Sequence, residues 1–293
     1  MRSAALLSFA LAALSIHHVF SSPMKRQAID DITILNYALT LEHLEKAFYS
    51  GALAKFDQKA FDDAGLPSFA RGRFQQIAGH ERAHVDFLSS ALGDKATKPC
   101  TYNFPYTDVK SFIALSQVFE GVGVSAYTGA AQYISNKDYL TAAAVVLSTE
   151  ARHASWVAAA VNKYSGWGGA FDTPLGLNEI YTIVATAITA CPSSNPPLPV
   201  RAFSPLSLSK LSAEAKFEVT HRASADPTHI AFYFGLGKTF VPIVNGKVAV
   251  PPGLEGQAYA VATNSATVAD DSTILAGPAI LDFESNSNGH SIN

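Results

Sequence analysis

Glu81-Arg82-Ala83-His84 and Glu150-Ala151-Arg152-His153 each set a carboxylate and an imidazole three residues apart. On a helix that spacing puts both groups on one face; on a strand it puts them on opposite faces. Composition predicts about 0.3 such matches in a chain of this makeup, and three occur. The third, Glu218-Val219-Thr220-His221, lies in a β-rich stretch and is set aside. Each of the other two follows a helical stretch with a Glu and, seven residues on, a Tyr: Glu42 with Tyr49, and Glu120 with Tyr127. Glu-x₆-Tyr then Glu-x-x-His thus occurs twice in order, as in a diverged internal repeat.

Apolar residues recur at three and four spacing over Asp30–Lys55, Pro67–Leu92, Thr107–Ile134 and Lys137–Tyr164, which predicts four long helices capped by Asp30 or Asp31 at the first and Thr107 at the third. A shorter fifth helix is predicted over Leu177–Ala190, ended by Pro192. The first and second helices, and the third and fourth, are joined by short links. Between the second and third runs Gly93–Tyr106, with Pro99 and Pro105. About 14 residues of extended chain reach over 40 Å, enough to run the length of a helix. The second and third helices can then lie parallel, the one-crossover topology of ferritin-like bundles. Past Ser193-Ser194-Asn195-Pro196-Pro197 the texture changes to short β-rich runs separated by Gly, Pro, Asn or Asp. These predict a small all-β unit of sandwich type. The expected class is α+β: a four-helix bundle over 27–192 with its extra helix, a Pro-rich linker over 193–200, a small β domain over 201–284 and a loose tail over 285–293.

Four carboxylates, Glu42, Glu81, Glu120 and Glu150, face one another among residues such as Leu39, Leu44, Phe48, Phe74 and Phe112. In such a core they repel and are poorly solvated. Two divalent cations cancel their charge. One Glu from each of two helices plus Glu-x-x-His from the other two is the di-iron or di-manganese carboxylate pattern. The expected metal ligands are Glu42, Glu81, His84, Glu120, Glu150 and His153, and the expected cofactors are two divalent ions, Fe or Mn, which this donor set suits equally. Such a centre would act on O₂, peroxide or Fe²⁺, as an oxidase, a ferroxidase or a catalase-like enzyme. No catalytic residue is assigned. Tyr49 and Tyr127 are expected either to hydrogen-bond the terminal carboxylates or to be core aromatics. Glu45, three residues after Glu42, is expected to support the site from behind or to face solvent, the alternative being that it faces the site itself. His43 and His80 turn about 100° from ligand positions and read as ordinary polar helix residues. The alternative is a site that has lost its metal and keeps only buried hydrogen bonds.

The first residues read as an address. Arg2, the apolar run from Ala4 to Ile16 and Ser21-Ser22-Pro23 predict a signal peptide over 1–22, followed by a dibasic trimming segment over 23–26 that ends in Lys25-Arg26. The run is too short for the ~30 Å of a bilayer core. In an oxidising compartment Cys100 and Cys191 are expected to form a disulfide, two free thiols being the alternative. The 293 residues are 48% hydrophobic and 15% charged with a net charge of −3. That composition supports a packed core and excludes a disordered chain. No basic stripe marks a nucleic-acid partner, and no later run is long and apolar enough for a membrane span.

The stretch Leu39-Thr40-Leu41-Glu42-His43-Leu44-Glu45-Lys46-Ala47-Phe48-Tyr49 is similar to the first helix of secreted fungal ferritin-like domain proteins of the Rds1 stress-response and late-sexual-development type, and of desiccation-related relatives. The resemblance covers about Asp30 to Ala190. It implies that Glu42 and His84 hold one metal, that Glu120 and His153 hold the other, and that Glu81 and Glu150 bridge. It also implies a role in stress or development. The competing reading is an extracellular or cell-wall structural or adhesive protein, motivated by the β unit and the export signal.

Overall fold

The computed structural model describes residues 29–210 and 216–285. The expected signal peptide, the dibasic segment and residues 286–293 of the expected tail lie outside the described residues. Six α-helices carry the first half: α1 Asp31–Lys55, α2 Gln58–Asp63, α3 Ala70–Leu92, α4 Val109–Ala130, α5 Lys137–Trp156 and α6 Leu177–Ala185. Local chemistry starts them. The Asp30 carboxylate accepts from the Thr33 amide at 2.8 Å, and Asp108 forms a capping box with Ser111, so Asp108 caps the third long helix in place of Thr107. Asn136 caps α5. Each cap satisfies an otherwise orphaned N–H.

Side-chain pairings fix the helix directions. Asn36 meets the Thr97 amide, Glu42 meets His84, and Leu53 and Phe56 accept from Arg71, so α1 and α3 are antiparallel. Tyr49 meets Glu120 and Tyr127 meets Glu42, so α1 and α4 are antiparallel too. Helices α3 and α4 therefore run parallel, as the long connection requires. That connection lies on the bundle as a strap. Its alternate residues Tyr102, Phe104 and Tyr106 stack in a row, with ring centroids 5.7 and 6.1 Å apart. Phe104 also packs edge-on to Phe48 and Phe119. In extended chain, residues two apart share a face, so one side of the strap is an aromatic comb.

The fifth helix stops at Ala185, short of the expected Ala190. Residues Ile188–Ala190 are instead strand β2, paired antiparallel with β1, Thr101–Tyr102, of the strap. The disulfide Cys100–Cys191 closes the same corner. The fourth long helix keeps α form only to Trp156. It continues as a π-type turn over Val157–Asn162, closed by Lys163 in the left-handed region at φ 64°. The third gives way to a 3₁₀ turn, Ala131–Tyr133.

Seven further strands follow: β3 Leu206–Lys210, β4 Lys216–His221, β5 His229–Phe234, β6 Gly237–Pro242, β7 Lys247–Ala249, β8 Gly256–Thr263 and β9 Ile274–Phe283. They form two antiparallel sheets, β3-β4-β7 and β6-β5-β8-β9. Ile230, Phe232, Ala260 and Ala262 of the larger sheet pack with Phe217 and Val248 of the smaller one. The alternating residues Ala231, Tyr233, Tyr259 and Val261 belong to the helical core. The larger sheet is thus buried on both faces, which is why β5 and β8 read as continuous apolar runs. Tyr259 ties sheet to bundle: its hydroxyl lies 2.8 Å from Ser125 Oγ and donates to the Gly121 carbonyl at 3.2 Å. No helix among the described residues is long and apolar enough to cross a membrane.

Candidate metal centre

Helical period and antiparallel packing bring the six expected residues together. Glu42 comes from α1, Glu81 and His84 from α3, Glu120 from α4, and Glu150 and His153 from α5. His84 Nδ1 lies 3.2 Å from Glu42 Oε2, 3.1 Å from Glu81 Oε2 and 3.2 Å from Glu150 Oε1. His153 Nδ1 lies 3.2 Å from Glu120 Oε2 and 3.3 Å from Glu81 Oε1. Two donor groups result, Glu42, Glu81, His84, Glu150 and Glu81, Glu120, Glu150, His153, each with its ligand atoms within 4.8 Å of one another. Glu81 and Glu150 belong to both. Glu218 and His221, on strand β4, belong to neither.

The two tyrosines cross over. Seven residues on one helix are roughly 10 Å apart along the axis, too far for Tyr49 to reach Glu42. Each instead reaches the facing antiparallel helix: Tyr49 donates to Glu120 Oε1, and Tyr127 donates to Glu42 Oε1. Tyr49 also lies 2.8 Å from Ser116 Oγ. Each terminal carboxylate thus spends one oxygen on a phenol and turns the other to an imidazole.

Glu45 does not face solvent; it is 6% exposed and adds a fifth carboxyl to the cluster. Gly123 on α4 makes room for it, since a Cβ there would sit 3.2 Å from Glu45 Oε1 and 3.3 Å from Glu150 Oε2. Gly123→Ala is expected to weaken metal binding about tenfold by displacing these oxygens. Its overpacking cost is offset by up to about 1 kcal/mol of helix propensity. Chelator competition and thermal melts separate the two effects. His43 is an ordinary buried polar residue, with Nε2 3.1 Å from the Thr97 carbonyl oxygen. His80 is not: its Nδ1 lies 2.8 Å from His153 Nε2 and the rings are nearly parallel. The sequence reading missed it because a ligand's outward partner sits off the ligand face by construction.

Burial drives the carboxyls of Glu42, Glu45 and Glu81 above their ordinary range, with the charge of Glu150 adding to the effect. Glu120 is pushed up to about 7 by the same burial. Glu150 goes the other way, to about 2: burial would raise it, but His153 and His84 beside it prevail. Burial would likewise lower the two imidazoles, yet the surrounding carboxylates lift His84 to about 12 and His153 to about 10. The chain's own groups balance this charge with protons. Glu81 Oε1 and both Glu150 oxygens are sealed from water and receive no well-aligned hydrogen bond among the described residues, only imidazole ion pairs at 3.2 to 3.8 Å. Buried acceptors so incompletely satisfied are costly. They are the two carboxylates common to both donor groups, and a cation between the groups would satisfy them. The donor set, oxygen-rich with two imidazoles, fits such an ion.

Residues 30–163 match the ferritin-like domain family. This part of the chain is a ferritin-like domain. The expected resemblance to the Rds1 type is also found: the chain is 29% identical over 181 residues to Protein rds1 of Schizosaccharomyces pombe, over 60% of this chain and 44% of that protein. The chain thus spans under half the length of that relative. The match ends just past the π-type turn, so α6, Cys191 and strands β2 to β9 lie outside the matched residues.

Proposed function

We propose that Glu42, Glu81, His84, Glu120, Glu150 and His153 hold two divalent cations, iron or manganese, and that the protein is an exported oxidoreductase acting on O₂, peroxide or Fe²⁺. The sharing of Glu81 and Glu150 by two four-donor groups carries this reading. When bound, iron or manganese supplies one-electron redox chemistry at a water-poor centre. The chain's own residues prepare that centre. Tyr49 and Tyr127 fix the terminal carboxylates so that their Oε2 atoms face inward. Phe48, Phe74 and Phe112 pack beside Tyr49 and keep bulk water out. The disulfide supports export, since such bonds persist in oxidising compartments.

Metal uptake is expected to displace the protons now held by the imidazoles and carboxyls, so affinity falls as pH falls. Elemental analysis of the mature protein is expected to give two metals per chain. An indicator dye in weak buffer follows the released protons, and oxygen and peroxide electrodes follow the reaction. Protein reconstituted under reducing conditions that still takes up no metal would overturn the reading.

A further inference from the structure

A cavity of about 500 Å³ opens between α3 and the end of α5, and His153 forms part of its lining. Two other sizeable cavities, one beside β8 and one between α6 and β9, are lined by none of the six proposed ligands. His153 turns Nδ1 to Glu120 and Nε2 to His80, and His80 also lines the cavity. The walls are Phe69 and Trp156, with Trp156 held edge-on by Phe74 at 5.1 Å. Ala160, on the π-type turn, contributes only a methyl and leaves the space open. Arg73 is the one Arg or Lys among the described residues that line the cavity, and its Nη1 donates to Gln76 Oε1 at 2.7 Å. No aspartate or glutamate among the described residues lines it.

We infer that this cavity binds a small organic anion with an apolar body, such as an aromatic carboxylate, and seats it on the His153 side of the centre. Its size falls in the range of small-molecule sites. A planar guanidinium recognises a carboxylate through paired N–H groups, and Arg73 reaches the cavity beside its partner Gln76. Aromatic walls suit the ligand's body. A metal cation arriving as substrate would meet Arg73 and no carboxylate, the wrong field for steering it in. The location beside a metal centre rests on the function proposed above, whereas the ligand class rests on the cavity alone.

The test uses the mature chain with Trp167→Phe, which leaves Trp156 as the only tryptophan, the sequence holding two. Benzoate is titrated into metal-free and metal-loaded protein, with benzyl alcohol as the uncharged counterpart. Benzoate is expected to change Trp156 fluorescence saturably. Arg73→Gln is expected to raise its dissociation constant about tenfold, and Ala160→Phe to abolish binding by filling the space. Benzyl alcohol is expected to bind about tenfold more weakly and to be indifferent to Arg73→Gln. Thermal melts and metal content establish that both variants are folded and loaded like the parent. Absence of saturable binding, equal affinity for benzyl alcohol, or benzoate binding unchanged in either variant would overturn the inference. Protein that takes two metals but no benzoate sinks this inference alone. Protein that binds benzoate through Arg73 but takes no metal sinks the metal reading and leaves the ligand class standing.

Discussion

Glu81→Gln is expected to abolish loading of both cations while leaving the metal-free protein within about 1 kcal/mol of its original stability. The two halves of that expectation have different causes. Burial raises the Glu81 carboxyl well above the usual carboxylate range, with Glu150 adding to it. In the chain alone burial therefore favours its neutral form. Glutamine matches that neutral group in shape and keeps an oxygen to face His84 Nδ1, 3.1 Å away. With cations bound, the carboxylate must serve both donor groups, and a carboxamide is a poor, uncharged substitute. Ligand that binds only the folded state stabilises by about 4 kcal/mol at a thousandfold excess over Kd. The parent is therefore expected to melt markedly higher with Mn²⁺ or anaerobic Fe²⁺, and Glu81→Gln is expected not to respond. Glu45→Gln is the matched control. It replaces another buried carboxyl, but Glu45 belongs to neither donor group, so two metals are expected to remain. A Glu81→Gln protein that still holds two metals would show that Glu81 is not needed to hold them.

The long helices and the meeting of the six residues expected as ligands were readable because each obeys a local rule. A 3.6-residue period marks an amphipathic helix, and a three-residue offset keeps Glu81 with His84, and Glu150 with His153, on one face. The strap was readable from length alone, because parallel α3 and α4 leave the chain a full helix to traverse. What escaped depends on partners distant in sequence. The crossing of Tyr49 to Glu120 follows from antiparallel packing, not from the seven-residue spacing that drew attention to both tyrosines. Ile188-Thr189-Ala190 continues a helical period but is drawn into a strand by the strap edge beside it, a tertiary override of local preference. Strand β3, Leu206–Lys210, alternates Leu with Ser, a signal too short to register without its partner β4. His80 and Gly123 matter only through what they touch: one holds the outer nitrogen of His153, and the other leaves space for two carboxylates.

Replacing both cysteines, Cys100→Ala with Cys191→Ala, is expected to lower stability by about 4 kcal/mol without changing metal content. The bridge spans 91 residues, and the unfolded chain regains the freedom of that whole loop when it is cut. The loop runs from the strap through α4, α5 and α6, so the bond ties the bundle's single crossover to its last helix. Other contacts hold the same corner. Asn103 donates its amide to the Ala187 carbonyl at 2.8 Å, and Thr101 Oγ1 lies 2.8 Å from Thr189 Oγ1. These are local hydrogen bonds worth about 1 kcal/mol each, and they constrain only the folded state. The disulfide acts on the unfolded state, so the ladder cannot replace it. The six proposed ligands come from α1, α3, α4 and α5, none of which contains either cysteine, so two metals per chain are expected in the variant. Denaturant melts of the metal-free forms measure the loss, and reduction of the parent is expected to reproduce it. A loss below about 1 kcal/mol would mean that the aromatic comb of Tyr102, Phe104 and Tyr106 keeps the strap in place even in the unfolded ensemble. The bond would then act as a lock on a strap already seated.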